Sequence, residues 1–372
     1  MITIINARVY IEGVFKNTNI SFDNTIVDIS NDIIGDEIID ARNSMVIPGL
    51  IDIHTHGMGG ISAVNESDSQ LGELAQLYAK CGVTSFCPTL STISEETMIK
   101  SINCMSEHQR KSGESRIVGI NLEGPFISPD MIGSQNIAHQ KNPNIEMFNR
   151  IYTDLDKIIT VAPELPGAFD FISYVTNTYE GKVSVSLGHT RATYEVAKRA
   201  FESGASHVTH LFNRMSPLNH REPGIIPAAV SNNATAEIIC DGVHAHPAMV
   251  RMAYELFKDR LCLISDSLPC SGVPEGIYDF EGTSVEVRKD AIYVAKTNNL
   301  AGANKNLAEC LKTACEIGIP IESAVLSATY VPARITNEED RIGSLAVGKV
   351  ADIVMLDNQL NVDRVFLDGS EI

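Results

Sequence analysis

The run Met45-Val46-Ile47-Pro48-Gly49-Leu50-Ile51-Asp52-Ile53-His54-Thr55-His56-Gly57 is apolar until it ends on two histidines one residue apart. Side chains alternate faces along a strand, so His54 and His56 point the same way and are able to grip one metal ion. A histidine pair at the end of a buried strand points to a metal-dependent enzyme.

Downstream, the pattern alternates between strand and helix. Expected strands are Ile51 to Ile53, Ser85 to Cys87, Ile117 to Leu122, Ile158 to Val161, Val183 to Leu187, His207 to Thr209, Ala236 to Cys240 and Leu261 to Ser265. Helical patterns lie between them: Ser67 to Cys81, Ser94 to His108, Tyr194 to Ser203 and Pro247 to Phe257. Several carry Ser or Thr starts and Gly stops. Eight strands joined by crossover helices predict an α/β fold, a (β/α)8 TIM-like barrel. Residues 272–299 break the alternation with Val285-Glu286-Val287 and Ile292-Tyr293-Val294-Ala295, which predict a β-hairpin insertion after the eighth strand.

Both ends of the chain are written differently. Residues 1–48 hold short apolar runs broken by Asn, Asp and Gly, and the tail returns to that style from Ile342 to Asp357 and Val365 to Gly369. We expect residues 1–48 and 335–372 to form one small β domain beside a barrel spanning 49–334.

A chain of 372 residues with 44% hydrophobic composition is long enough for that division. No apolar run reaches the roughly 18 residues of a membrane span, and the first residues lack a secretory pattern. The expectation is a cytoplasmic enzyme. A net charge of −18 disfavours nucleic acid and anionic membrane as partners, so an anionic substrate needs a locally basic patch. The eight cysteines show no CxxC spacing and lie mostly in apolar stretches, reading as reduced core thiols.

In a parallel barrel the C-terminal strand ends share one face, where active sites are built. On the predicted strands, His54 and His56 follow strand one, Glu123 strand three, His189 strand five, His210 strand six, His244 strand seven and Asp266 strand eight. Any one of these alone reads as a satisfied core histidine, a loop carboxylate or a helix cap. Their conjunction on one rim reads as a site. Imidazole and carboxylate donors without thiolate suit zinc or iron(II), with cobalt and manganese also compatible. Glu123, between the His54/His56 and His189/His210 pairs, is placed to bridge two ions, though one or two ions is left open. The expected chemistry is attack of a metal-bound hydroxide on a carbonyl, with Asp266 carrying the proton to the leaving nitrogen and His244 donating to the oxyanion.

These segments resemble the amidohydrolase superfamily and, within it, the deacetylases of N-acetylglucosamine 6-phosphate. The resemblance runs through Val46 to His54, Leu122-Glu123-Gly124-Pro125-Phe126, Ser186-Leu187-Gly188-His189-Thr190, Val208-Thr209-His210-Leu211-Phe212-Asn213 and Arg221-Glu222-Pro223-Gly224. It continues through Cys240-Asp241-Gly242-Val243-His244, Leu263-Ile264-Ser265-Asp266-Ser267, Leu300-Ala301-Gly302 and the Gly343 to Asp352 tail. It implies a barrel carrying a small β-sandwich built from both termini, a homodimer, and release of acetate from an amino-sugar phosphate. It also implies metal binding by Glu123, His189 and His210 and proton transfer by Asp266, which we expect among the metal residues too; the retained His54 and His56 favour a two-metal site. Asn213, Arg221 and His244 match the family's substrate contacts, with Arg221 serving the phosphate, in a dimer across the interface; Leu300, Ala301 and Gly302 are assigned to substrate as well.

Two positions depart from the family pattern. A Gly-Ala-His that touches the sugar is here Gly133-Ser134-Gln135, and an Ala after Asn213 is here Arg214, so Gln135 and Arg214 become candidate substrate contacts. Alternatives are a deacetylase for the galactosamine epimer, an amidohydrolase of the dihydroorotase or hydantoinase type, or a barrel that only binds. The second type bridges its metals with a Lys after strand four, where Ile158 to Pro163 offers none.

Overall fold

The computed structural model describes residues 1–372, the side chain of residue 156 excepted. Eight parallel strands form the barrel wall: Leu50–Thr55, Val83–Leu90, Ile120–Leu122, Asp156–Val161, Ser184–Leu187, His207–Val208, Thr235–Ile239 and Leu261–Ile264. They pair in sequence order, each with the next. The circle closes between strands eight and one: Asp266 N donates to His54 O at 2.9 Å and His56 N to Ser267 O at 2.8 Å. The closing hydrogen bonds therefore run through three of the predicted site residues.

The predicted third strand is split. Arg116–Ile117 pairs with strand two, and Ile120–Leu122 pairs with strands two and four. Between them Val118 N donates to Phe86 O and Ile120 N to Leu155 O, so the backbone changes partner at Gly119. The stub anchors the tail: Arg116 is buried, pairing with Asp352 at 2.7 Å and Asp368 at 2.5 Å.

The four predicted helices form at Asp68–Lys80, Glu95–Glu107, Tyr194–Glu202 and Pro247–Phe257. Ser94 and Thr193 accept backbone N–H groups as N-caps, as their side chains are suited to do. The helices bury one face against the barrel, in a core that includes Leu71, Ala75, Tyr78, Met98, Ile102, Ala197 and Phe257. A separate cluster joins strand residues Ile51, Ile158, Ile239 and Ile264 to Val331, Ala333 and Ile335 of the helix Tyr330–Ile335.

Both ends share one eight-stranded sheet. Ile2–Ile11 pairs with Val14–Phe22, Glu37–Asp40 and Met45–Pro48, and Met45–Pro48 pairs in turn with Ile353–Leu356 of the tail. Its own core draws on Ile4, Val9, Ile20, Phe22, Val46, Ile353 and Phe366 from both ends. The sheet runs straight into the barrel at Gly49, where a Cβ would lie 2.0 Å from Thr84 Oγ1; only glycine permits that approach.

The insertion is larger than a hairpin. Gly276–Phe280, Thr283–Val287, Ile292–Val294 and Leu300–Gly302 form a four-stranded antiparallel sheet, of which the predicted hairpin is the central pair. Its apolar face, with Val285, Val287 and Ile292, packs on Leu268 and Cys270 beside the rim.

Candidate metal centre

Strand one delivers His54 and His56 to the rim as the two-residue spacing requires, both buried. Glu123 follows strand three, His189 strand five, His210 strand six and Asp266 strand eight, all at most 8% exposed. Their donor atoms form three overlapping groups, each within 4.8 Å: His54, His56 and Glu123; Glu123, His189 and His210; and His54, His210 and Asp266.

Glu123 sits at the centre. Its Oε1 lies 2.8 Å from His189 Nε2, 2.7 Å from His210 Nε2 and 3.6 Å from His54 Nε2, while Oε2 lies 3.2 Å from His56 Nε2. Asp266 Oδ1 stands 3.6 Å from His54 Nε2 and 3.4 Å from His56 Nε2. His189, His210 and Asp266 have backbone φ of +44°, +21° and +50°. Such strained conformations gather at functional sites, where surrounding structure holds them.

These residues fit a divalent cation. His54 donates from Nδ1 to Glu237 Oε2 at 2.9 Å, and His189 faces Met131 O with Nδ1 at 2.7 Å, so each ring turns an Nε2 lone pair inward. His54 Nε2 is buried and has no hydrogen-bond partner among the described residues. The His189 and His210 Nε2 atoms approach to 3.2 Å, close to the roughly 3.3 Å that tetrahedral donors at zinc distances keep from each other. Electrostatics agrees. Burial resists charge on His54 and His56, yet Glu237 and Glu123 hold the His54 ring protonated well above the ordinary range, and Asp266 and Glu123 push His56 up to about 9. Burial likewise resists ionisation of Glu123, yet His189 and His54 keep it well below the ordinary carboxylate range. The cluster demands positive charge where its nitrogens converge, which a cation supplies without protons.

Above the cluster opens a cavity of about 410 Å³, lined on one side by Met131, Gly133, Ser134 and Gln135 and on the other by His244, Asp266 and Asn298 to Ala301 of the insertion. Phe280 of the insertion rests edge-on against the His56 ring at 5.6 Å. His244 is held by Asp241, whose Oδ2 accepts from Nδ1 at 2.7 Å while Oδ1 accepts the backbone N–H of Val243 and His244. That leaves Nε2 for the cavity.

The remaining candidates divide. Asn213 and Arg214 line the cavity, as do Leu300 and Ala301, whereas Gly302 packs behind them against Leu268 and the backbone of Asp266. The Arg214 side chain lies along Gly133, where a Cβ would meet its Nε at 3.1 Å. Its guanidinium has no hydrogen-bond or ion-pair partner among the described residues, and burial lowers its pKa. Gln135 lines the cavity too, but its amide is committed to Glu123 Oε2 at 2.7 Å. Arg221 is exposed and away from its own chain's cavity. Sequence reasoning did not single out Glu237 or Asp241, buried carboxylates inside strand seven and just past it; a charged residue amid Thr235-Ala236-Glu237-Ile238-Ile239 was the available signal.

The Amidohydrolase family model matches residues 45–372. Among curated proteins, N-acetylglucosamine-6-phosphate deacetylase of Caenorhabditis elegans is 34% identical over 353 residues, covering 90% of this chain and 84% of that protein. Among solved structures, N-acetyl-D-glucosamine-6-phosphate deacetylase from Mycobacterium smegmatis superposes with a TM-score of 0.92 at 28% identity, covering 100% of both chains. An aspartate-to-alanine mutant of that enzyme, in complex with N-acetyl-D-glucosamine 6-phosphate, superposes with a TM-score of 0.90 at 28% identity, covering 100% of this chain and 98% of that one.

Proposed function

Because the chain belongs to the amidohydrolase family, we propose that it hydrolyses the acetamide of N-acetylglucosamine 6-phosphate, giving glucosamine 6-phosphate and acetate. The observation that carries this reading is the convergence of four imidazoles and two carboxylates beneath a cavity whose lining offers one arginine.

His54, His56, Glu123, His189 and His210 would hold divalent metal, as one ion or as two sharing Glu123, with zinc or iron(II) best suited to the donors. When bound, such a cation polarises a carbonyl and acidifies a water. The chain's own groups do the rest. Asp266 removes a proton from the attacking water and returns it to the leaving nitrogen as the C–N bond breaks. His244, oriented by Asp241, donates from Nε2 to the carbonyl oxygen as charge builds there. Asn213 and the Leu300-Ala301 backbone border the sugar, and Arg214 faces the phosphate.

A homodimer would give the exposed Arg221 a role at the partner's phosphate, and a cytoplasmic location suits reduced cysteines. None of the described helices is long and apolar enough to cross a membrane.

The test is release of free amine from N-acetylglucosamine 6-phosphate by protein reconstituted with Zn2+ or Fe2+, beside the galactosamine epimer and the unphosphorylated sugar. Amine release from the glucosamine phosphate is expected. No release with any divalent metal refutes the proposal, and a preference for the other epimer reassigns the substrate.

A further inference from the structure

Glu237 is a fully buried carboxylate inside strand seven and does not itself line the cavity. One of its oxygens is nonetheless committed to the cluster. Oε2 accepts His54 Nδ1–H at 2.9 Å and the backbone N–H of His210 at 3.2 Å, and Oε1 accepts from His207 Nε2 at 3.1 Å. His207 is held in turn by Thr235 Oγ1, 2.7 Å from its Nδ1.

We infer that Glu237 is a positioning residue for the metal centre, one carboxylate that sets a donor in each half of it. His54 belongs to the group with His56, and His210 to the group with His189. By taking the Nδ1 proton of His54, Glu237 fixes the tautomer in which Nε2 offers a lone pair. By taking the His210 amide, it holds that residue at φ +21°, a conformation a non-glycine residue adopts only under restraint. The inference rests on the metal-dependent reading given above and adds to it a residue that touches neither substrate nor ion.

Glutamine in place of Glu237 tests this at constant size. It brings one acceptor oxygen for three donors, and its NH2 group set against His54 Nδ1–H forces the ring to move its proton to Nε2, where it no longer offers a lone pair. Zinc affinity of folded apo-protein, measured by competition with a fluorescent chelator, should fall about 10- to 100-fold for Glu237→Gln. The visible absorption of the Co2+-loaded protein should change with it. In a His54→Asn background the same change should cost less than it does in the wild type, because only the His210 contact is left to lose. Should Glu237→Gln fail to fold, Glu237→Asp, which keeps the charge but withdraws the oxygens, carries the same expectation. Wild-type zinc affinity and cobalt spectrum in the folded variant overturn the inference alone, as do equal losses in both backgrounds. A wild-type protein that takes up no zinc overturns the inference together with the function it rests on.

Discussion

The Gln135 side-chain amide donates to Glu123 Oε2 at 2.7 Å. Its carbonyl in turn accepts the Thr92 backbone N–H at 2.8 Å. A residue that replaces a sugar-contacting histidine in the family pattern is thereby engaged with the central carboxylate. We predict that Gln135→Ala weakens zinc retention about tenfold, since it frees one oxygen of the central carboxylate, while KM for the sugar phosphate moves less than about threefold. Chelator competition and steady-state kinetics on the same preparation separate the two. A raised KM with unchanged zinc affinity would return Gln135 to the substrate.

Arg214 carries a second prediction. An unpartnered guanidinium in a cavity wall is an open site for an anion, and a charged hydrogen bond contributes about 1.5–3 kcal/mol. Arg214→Ala should therefore raise KM for N-acetylglucosamine 6-phosphate about 10- to 100-fold with little change in kcat. Turnover of unphosphorylated N-acetylglucosamine should stay the same, and if both substrates suffer alike, Arg214 shapes the pocket without reading the phosphate.

The barrel was legible because its strands are short apolar runs and its helices carry caps such as Ser94, both of which are local signals. The first-contact donors were legible for a related reason: strand ends share one face, so chain position alone places His54, Glu123, His189, His210 and Asp266 together. What escaped was set by contacts distant in sequence. The roles of Glu237 and Asp241 depend on which histidines lie opposite, the break in strand three follows from a change of partner at Gly119, and the first and last strands of the insertion, ending at Phe280 and Gly302, have weak patterns of their own. The direction of Arg214 depends on the absence of a side chain at Gly133, far away in the sequence.

Thiol chemistry supplies a prediction with a pH axis. Burial pushes Cys315 and Cys270 up to about 11 and Cys240 up to about 12. Only the thiolate reacts, so raising the pKa slows alkylation at neutral pH. At pH 7.5 a thiol of pKa about 11 is ionised to only about three parts in ten thousand. Native protein treated with iodoacetamide at pH 7.5 should keep its activity and acquire label slowly at the half-buried Cys315, with the rate rising about tenfold per pH unit towards pH 10. Rapid, pH-independent labelling at any of these three positions would contradict the burial that the fold gives them.

Asp266 is the residue on which proton transfer depends. It lines the cavity, its Oδ1 stands 3.4 Å from His56 Nε2, and its backbone N–H is tied to His54 O at 2.9 Å, so the side chain is fixed at the edge of the donor cluster. Asparagine keeps the volume, the backbone hydrogen bond and one carbonyl oxygen, but it cannot take up and release a proton near neutral pH. Asp266→Asn should therefore retain its metal, held by the four histidines and Glu123, and keep KM within about threefold, while kcat falls about 10²- to 10⁴-fold. Metal analysis and kinetics on the same sample decide the matter. Turnover within tenfold of wild type rules out the proton-carrying role, and loss of the ion in step with activity makes Asp266 primarily a ligand.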